Sequence, residues 1–198
     1  VLLYQFVTLL RGGEKVKMST RKANFVTMDE LVDEMGADVV RYFFIMRSMN
    51  THLDFDLDLA ADQSDKNPVF YLQYAHARIC NIIKHGKDSG LELTPDFDST
   101  LLSHPDEINL LQHMARFPDL LTFVNESLKP KTWANFLKEL AKQFKKFYGQ
   151  FYVIKEDRKL SNAGLQLVTS CLLYTSDAAD DMHGVYYVGR GIMKIYYY

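Results

Sequence analysis

The sequence predicts a mainly α fold: a helical bundle entered through a short β-hairpin, a loop and two helices. Three stretches carry that prediction. After Pro130, "KTWANFLKELAKQFKKFYGQFYVI" sets Leu137, Leu140, Phe144, Phe147 and Phe151 at three- and four-residue steps, an apolar stripe of helical period. "NPVFYLQYAHARICNIIKHG" opens with Pro68 at a first helical position and is expected to stop at Gly86. "LLYQFVTLL" and "KVKMS" flank Gly12-Gly13, two β-rich runs around a turn that predict a hairpin.

The remaining elements follow in order. "STRKANF" has no periodicity and reads as a loop. In "TMDELVDEMG", Thr27 can N-cap, Glu30 sits where a capping box needs it, and Gly36 can end the turn. A second helix is expected at about 37–48, with Val40, Phe43, Phe44 and Met46 facing a core. "HLDFDLDL" alternates with period two: Leu53, Phe55, Leu57 and Leu59 on one face, Asp54, Asp56 and Asp58 on the other. That predicts a short extended segment with one buried face. Residues 87–105, with Gly90, Pro95 and Pro105, read as a loop, and "DEINLLQHMARFPDLLTFVNES" as two helices broken at Pro118. "KLSNAGLQLVTS" starts a further helix, and no internal repeat is apparent.

The 198 residues have room for one domain with a core, or one domain plus a piece of another. The net charge of −2 hides local bias. Residues 11–22 are basic, and so is the stripe of Lys138, Lys142, Lys145 and Lys146; residues 54–65 hold five aspartates. The basic blocks suit anionic partners or a solvated face. Cys80 and Cys171 make neither a disulfide framework nor a zinc site. The alternating aspartates lack a His or Glu at ligand spacing, so no protein-bound metal is expected. No apolar run approaches the roughly 20 residues of a membrane helix, and no signal peptide is visible, so a cytoplasmic protein is expected. The opening "VLLYQFVTLL" starts mid-strand without an initiator Met and reads as a fragment missing its amino-terminal part.

The carboxy-terminal segment stands apart. "CLLYTSDAADD", residues 171–181, is not expected to continue the helical pattern. Back-translated, it resembles the end sequence of a transposase sequencing adapter, so residues 171–198 are expected to be a non-native, translated read-through tail. The tyrosine-rich end then needs no functional explanation.

Chemistry concentrates in residues 17–21, Lys-Met-Ser-Thr-Arg. Displacing pyrophosphate from ATP gathers negative charge on oxygens, and a mobile loop of cations and donors can close over it. Lys17 and Arg21 would supply charge and Ser19 hydrogen bonds, while Met18 packs down to set the height of the loop. Taken alone, a basic loop after a strand is weak support for phosphate binding. "VKMSTRKANFVTMDELVDEMGADVVRYFFIMRS", however, resembles the second, KMSKS-type signature of the class I aminoacyl-tRNA synthetases, and the longer match is to the arginyl-tRNA synthetase family. The resemblance continues through "HLDFDLDLAADQSDKNPVFYLQYAHARI" and "FYGQFYVIKEDRKLSNAGLQLV", and spans residues 1 to about 170 in order.

The resemblance implies a Rossmann-type catalytic domain ending at residue 62, followed over 63–170 by a truncated DALR-type anticodon-binding bundle. The parent enzyme would activate arginine with ATP, accompanied by Mg2+, and transfer it to tRNA(Arg). It would work as a monomer, with neither DNA nor a membrane as partner. Lys17, Met18, Ser19, Thr20 and Arg21 would hold the ATP phosphates, with Lys17, Ser19 and Arg21 in the catalytic role. The "QSDKNP" loop with Asn67, and Tyr71, Tyr74 and Tyr148, would meet the anticodon loop. Arg78 and the lysine stripe are lesser candidates for RNA phosphates. The structural alternative for Tyr71 and Tyr74 is core packing with a bonded hydroxyl.

There are departures from the family pattern. Thr20 replaces the second loop lysine, which leaves open whether Lys17, Arg21 or Lys22 faces the pyrophosphate. Ala23 stands where glycine is usual. His76 and His85 do not form the other, HIGH-type signature, and His76 reads as a structural helix residue, so the chain alone is expected to be inactive. Two rival readings are a non-catalytic tRNA-binding helical module and another class I synthetase, such as a cysteinyl enzyme. The KMSTR loop argues against the first. The lack of zinc ligands and the "QYAHAR" helix argue against the second.

Overall fold

The computed structural model describes residues 5–18, 25–93, 97–150 and 153–180, with side chains to residue 172. Ser19, Thr20 and Arg21, with Lys22 and Ala23, lie outside the described residues, as does Phe151.

The chain opens with strand β1 (Val7–Arg11) and the short β2 (Glu14–Lys15), antiparallel with Arg11 opposite Glu14. Both turn residues take positive φ, 60° at Gly12 and 75° at Gly13, the geometry a two-residue hairpin demands and that glycine alone adopts cheaply. Helices α1 (Met28–Met35) and α2 (Ala37–Ile45) follow. Thr27 and Glu30 form the expected reciprocal capping box, and Gly36 at φ 87° separates the two helices. The chain then returns as β3 (Leu53–Asp56), parallel to β1 with Val7 opposite Leu53, so the three-stranded sheet has the order β2-β1-β3.

The extended segment is shorter than its alternation predicts. Asp56 turns its carboxylate onto the amides of Asp58 and Leu59, at 3.0 and 3.1 Å, and caps helix α3 (Leu57–Ala61). A local N-cap thus overrides the period-two pattern. Leu53, Phe55 and Leu57 are buried as expected, whereas Leu59 is only partly covered.

The bundle consists of α4 (Pro68–Asp88), α5 (Pro105–Ala115), α6 (Phe117–Ser127), α7 (Pro130–Gln150) and α8 (Arg158–Asp180), with a short 3-10 turn at Ser99–Leu101. Pro68, Pro105 and Pro118 each sit in a first helical turn, where a missing N–H costs nothing. Helix α4 does not stop at Gly86. It runs to Asp88, and Gly90, at φ 72°, supplies the left-handed residue that ends it. The amides of Gly90 and Leu91 bond back to the carbonyls of Lys87 and Gly86, at 2.9 and 3.0 Å, and Leu91 is buried beside them. Gly86 serves packing instead: a Cβ there would lie 2.8 Å from Leu165 Cδ2 on α8.

Helix α8 likewise extends further than its sequence predicts, to Asp180, and Cys171 is fully buried in the bundle core beside Met114, Sγ to Sδ 3.7 Å. Residues such as Leu172, Ala178 and Ala179 are good helix formers, so a segment of any origin propagates a helix already nucleated at Arg158.

Two apolar clusters organise the chain. Leu9, Leu31, Val40, Phe43, Phe55 and Leu57 surround the sheet, while Ile79, Leu110, Leu137, Leu140, Phe147 and Leu165 form part of the bundle core. Val69 and Ala134, from α4 and α7, belong to the first cluster, and the Tyr42 hydroxyl donates to Ala134 O at 3.3 Å. The bundle is therefore seated on the sheet by side chains that cross between them.

Candidate nucleic-acid interface

Asn67, Tyr71, Tyr74 and Arg78 recur at four- and three-residue steps and so share one face of α4. Asn67 lies at the foot of that face, and both polar atoms of its amide are hydrogen-bonded. It is 4% exposed; Oδ1 accepts from Val69 N at 3.0 Å, and Nδ2 donates to Ala60 O at 2.9 Å. Asn67, one of the predicted RNA-binding residues, caps α4 and ties it to α3 from a buried position at the foot of the face.

Tyr74 and Arg78 do lie open. Arg78 Nε donates to the Tyr74 hydroxyl at 2.9 Å, and its guanidinium carbon sits 5.3 Å from the Tyr74 ring centroid and 5.6 Å from that of Tyr148 on α7. A guanidinium between two rings is held by their quadrupoles as well as by the hydrogen bond. The bond to Tyr74 raises the pKa of Arg78 further, so the cation persists at any working pH. Tyr74 remains 43% exposed and Tyr148 37%. Phe70 stacks near Tyr74 at 6.5 Å between centroids, and Phe144 near Tyr148 at 6.0 Å, which stiffens both rings from beneath.

Tyr71 sits deeper and is half-buried. Burial raises the pKa of its phenol, with Lys145 pulling the other way. Lys145 Nζ lies 5.2 Å from the Tyr71 centroid and pairs with Asp65 at 2.5 Å, a bond that raises the pKa of the lysine. The loop between α3 and α4 is in this way fastened to α7.

The lysine stripe is less available than its sequence predicts. Lys145 is held by Asp65, Lys146 by the buried Asp106 at 2.6 Å, and Lys142 stands 3.8 Å from Glu139. Lys138 is exposed. In the sequence Lys145 is one member of a basic run. Its spacing of three from Tyr148 on an amphipathic helix was the available signal that both share the α4-facing edge.

At the other end, Lys17 and Met18 follow β2 and are exposed; Met18, expected to pack down, is 44% exposed. The hairpin that launches them is fastened by Arg11 to Glu34 at 2.7 Å and by Gly12 N to Asp58 Oδ2 at 2.5 Å. Among the described residues no group of His, Cys, Asp or Glu is placed to hold a metal.

The chain thus joins a helical bundle bearing an open aromatic–guanidinium platform to a parallel βαβ corner. Residues 72–175 match the DALR anticodon binding domain, and residues 6–72 match the class I (M) tRNA synthetases. The chain belongs to the DALR anticodon binding domain family. Among curated relatives, the arginine–tRNA ligase of Salinibacter ruber is 50% identical over 167 residues, covering 84% of this chain and 30% of its own. That of Carboxydothermus hydrogenoformans is 47% identical over 170 residues, covering 85% and 30%. The chain thus spans about 30% of the length of these relatives. A crystal structure assigned as an arginyl-tRNA synthetase from Campylobacter jejuni superposes with a TM-score of 0.76 at 33% identity, over 89% of this chain and 38% of that one. The Thermus thermophilus arginyl-tRNA synthetase, at 20% identity and a TM-score of 0.68, shares the fold.

Proposed function

We propose that this chain is part of an arginine–tRNA ligase, supplying the ATP-phosphate loop and the surface that binds the anticodon of tRNA(Arg). The Tyr74–Arg78–Tyr148 platform is the observation that carries the reading. Unpaired RNA bases offer a π-face and two hydrogen-bonding edges. Exposed rings with a fixed cation between them suit both stacking and phosphate neutralisation. The identity of 50% and 47% to two arginine ligases supports arginine as the amino acid.

In this reading residues 1–62 close the catalytic domain and 63–170 form the anticodon bundle. Residues 171–198 keep the adapter origin read from their sequence, the first of them prolonging α8. Lys17, Ser19 and Arg21 stabilise the charge that develops as pyrophosphate leaves ATP; Met18 and Thr20 complete the loop. Mg2+ arrives with the ATP, and the ligase acts as a monomer. The arginine-binding pocket is contributed by the parent enzyme.

The test compares the pure 198-residue chain with the parent ligase. The parent charges tRNA(Arg) with arginine. The chain alone binds tRNA, with an affinity that falls steeply as salt is added, and runs no arginine-dependent ATP–pyrophosphate exchange. Exchange by the chain alone, or tRNA binding indifferent to salt, contradicts the reading.

A further inference from the structure

We propose that Lys145 is a binding point for an RNA backbone phosphate beside the Tyr74–Arg78–Tyr148 platform, and that the Asp65 carboxylate occupies it until RNA arrives. The proposal rests on the tRNA-binding reading above. Two cations cross the seam between α4 and α7 in opposite directions. Arg78 of α4 lies 5.6 Å from the Tyr148 ring of α7, and Lys145 Nζ of α7 lies 5.2 Å from the Tyr71 ring of α4. Tyr71 and Tyr74 stand three apart on α4, as do Lys145 and Tyr148 on α7, so both cations border the same surface. Their partners differ. Arg78 bonds a neutral hydroxyl and keeps its full charge, whereas Lys145 bonds the Asp65 carboxylate at 2.5 Å and forms a neutral pair. One cation of the platform is thus open to an anion, and the other is already satisfied from within the chain.

The pair suits exchange rather than permanent fastening. Both side chains are more than half exposed, 52% at Lys145 and 59% at Asp65, and exposed pairs hold weakly. The loop that carries Asp65 does not need the pair for its shape. Asn67 N donates to Ser64 O at 3.0 Å, Lys66 N to Ser64 Oγ at 3.3 Å, and Asn67 Nδ2 ties the end of the loop to Ala60 O. Lys145 is also the more adaptable cation. A point charge with three donors on a flexible stem can turn from one oxyanion to another, whereas the planar fork of Arg78 is fixed by its rings. RNA whose bases stack on Tyr74 and Tyr148 brings its phosphates to this border. Each phosphate neutralised there releases condensed counterions, a gain that the lone Asp65 carboxylate does not match. The phosphate therefore displaces Asp65, and Asp65 moderates affinity by competing for the same lysine.

Equilibrium binding of the chain to a tRNA with an arginine anticodon, measured across salt concentrations, tests this with Asp65→Asn, Lys145→Gln and the double variant. Asp65→Asn is expected to tighten binding about threefold at low salt. Lys145→Gln is expected to weaken it, and to make the slope of log affinity against log salt shallower by about 0.7, one phosphate contact on a single strand. In the Lys145→Gln background, Asp65→Asn should have little further effect, because nothing is left to compete for. Unchanged or weaker binding by Asp65→Asn overturns the proposal, and so does an unchanged slope in Lys145→Gln. Equal tightening with and without Lys145 overturns it too, because the carboxylate then only repels RNA at a distance. If the unsubstituted chain binds tRNA without salt dependence, or not at all, the tRNA-binding reading falls and the proposal with it. Should a variant fail to fold, carbodiimide labelling of Asp65 in the unsubstituted chain decides. Labelling that rises when the tRNA is added supports the exchange, and labelling that stays level or falls overturns it.

Discussion

Arg78 Nε donates to the Tyr74 hydroxyl at 2.9 Å, one turn apart on α4, while its guanidinium also lies 5.6 Å from the ring of Tyr148 on α7. One cation thereby orders two exposed aromatics on different helices. A lysine cannot reproduce this, because a point charge lacks the planar fork that bonds one ring's hydroxyl while lying against another. Arg78→Lys is expected to leave thermal unfolding nearly unchanged and to weaken tRNA binding about as much as Arg78→Ala, roughly tenfold. Full retention by the lysine variant would reduce Arg78 to a generic charge.

Gly86 sets the α4–α8 distance. Alanine in mid-helix ordinarily gains about 1 kcal/mol over glycine. Here the added Cβ would lie 2.8 Å from Leu165 Cδ2, and Leu165 is fully buried, so its side chain must shift within a packed core. Overpacking of this kind costs about 1–3 kcal/mol. Gly86→Ala is therefore expected to lower stability by about 1 kcal/mol in denaturant unfolding, and Leu165→Val in the same chain to recover part of it. A stabilised single variant would show that the two helices part easily.

The cysteines divide by burial. Cys80 is exposed, while desolvation pushes the Cys171 thiol up to about 12. One equivalent of thiol reagent is expected to react with the native chain at neutral pH, at Cys80, and the second only on unfolding. The Tyr42 phenol is likewise raised to about 12 by burial. In both cases the neutral form is favoured in the folded chain. Their contribution is complete below the ordinary values, about 8.5 for Cys and 10 for Tyr, and is lost as pH climbs toward 12. Unfolding midpoints measured from pH 8 to 11 should fall accordingly. Rapid labelling of native Cys171 would mean that α8 does not dock at that residue.

What the sequence revealed and what it hid divide along the range of the interactions. The Gly12-Gly13 turn, the Thr27–Glu30 box and the prolines at 68 and 118 act within a few residues, and each was readable in place. Asp56 was local too, but its capping role was masked by the alternation around it. Gly86 looks like a terminator until Leu165 is brought against it by packing. Tyr74, Arg78 and Tyr148 are each named only through the family resemblance. Their meeting, the pairing of Lys145 with Asp65, and the bond from Asp58 to Gly12 depend on how α4, α7 and α3 settle on the sheet. The burial of Asn67 depends on the same settling, because its Nδ2 donates to Ala60 O on α3.

The most direct test of the anticodon platform is equilibrium binding of the chain and of Tyr74→Ala to two tRNAs, one with an arginine anticodon and one with an unrelated anticodon. Base–aromatic stacking contributes about 1–3 kcal/mol per base. The substitution should weaken binding of the arginine tRNA roughly tenfold or more, and binding of the other tRNA distinctly less. Equal losses for both tRNAs would contradict a role for Tyr74 in reading the anticodon.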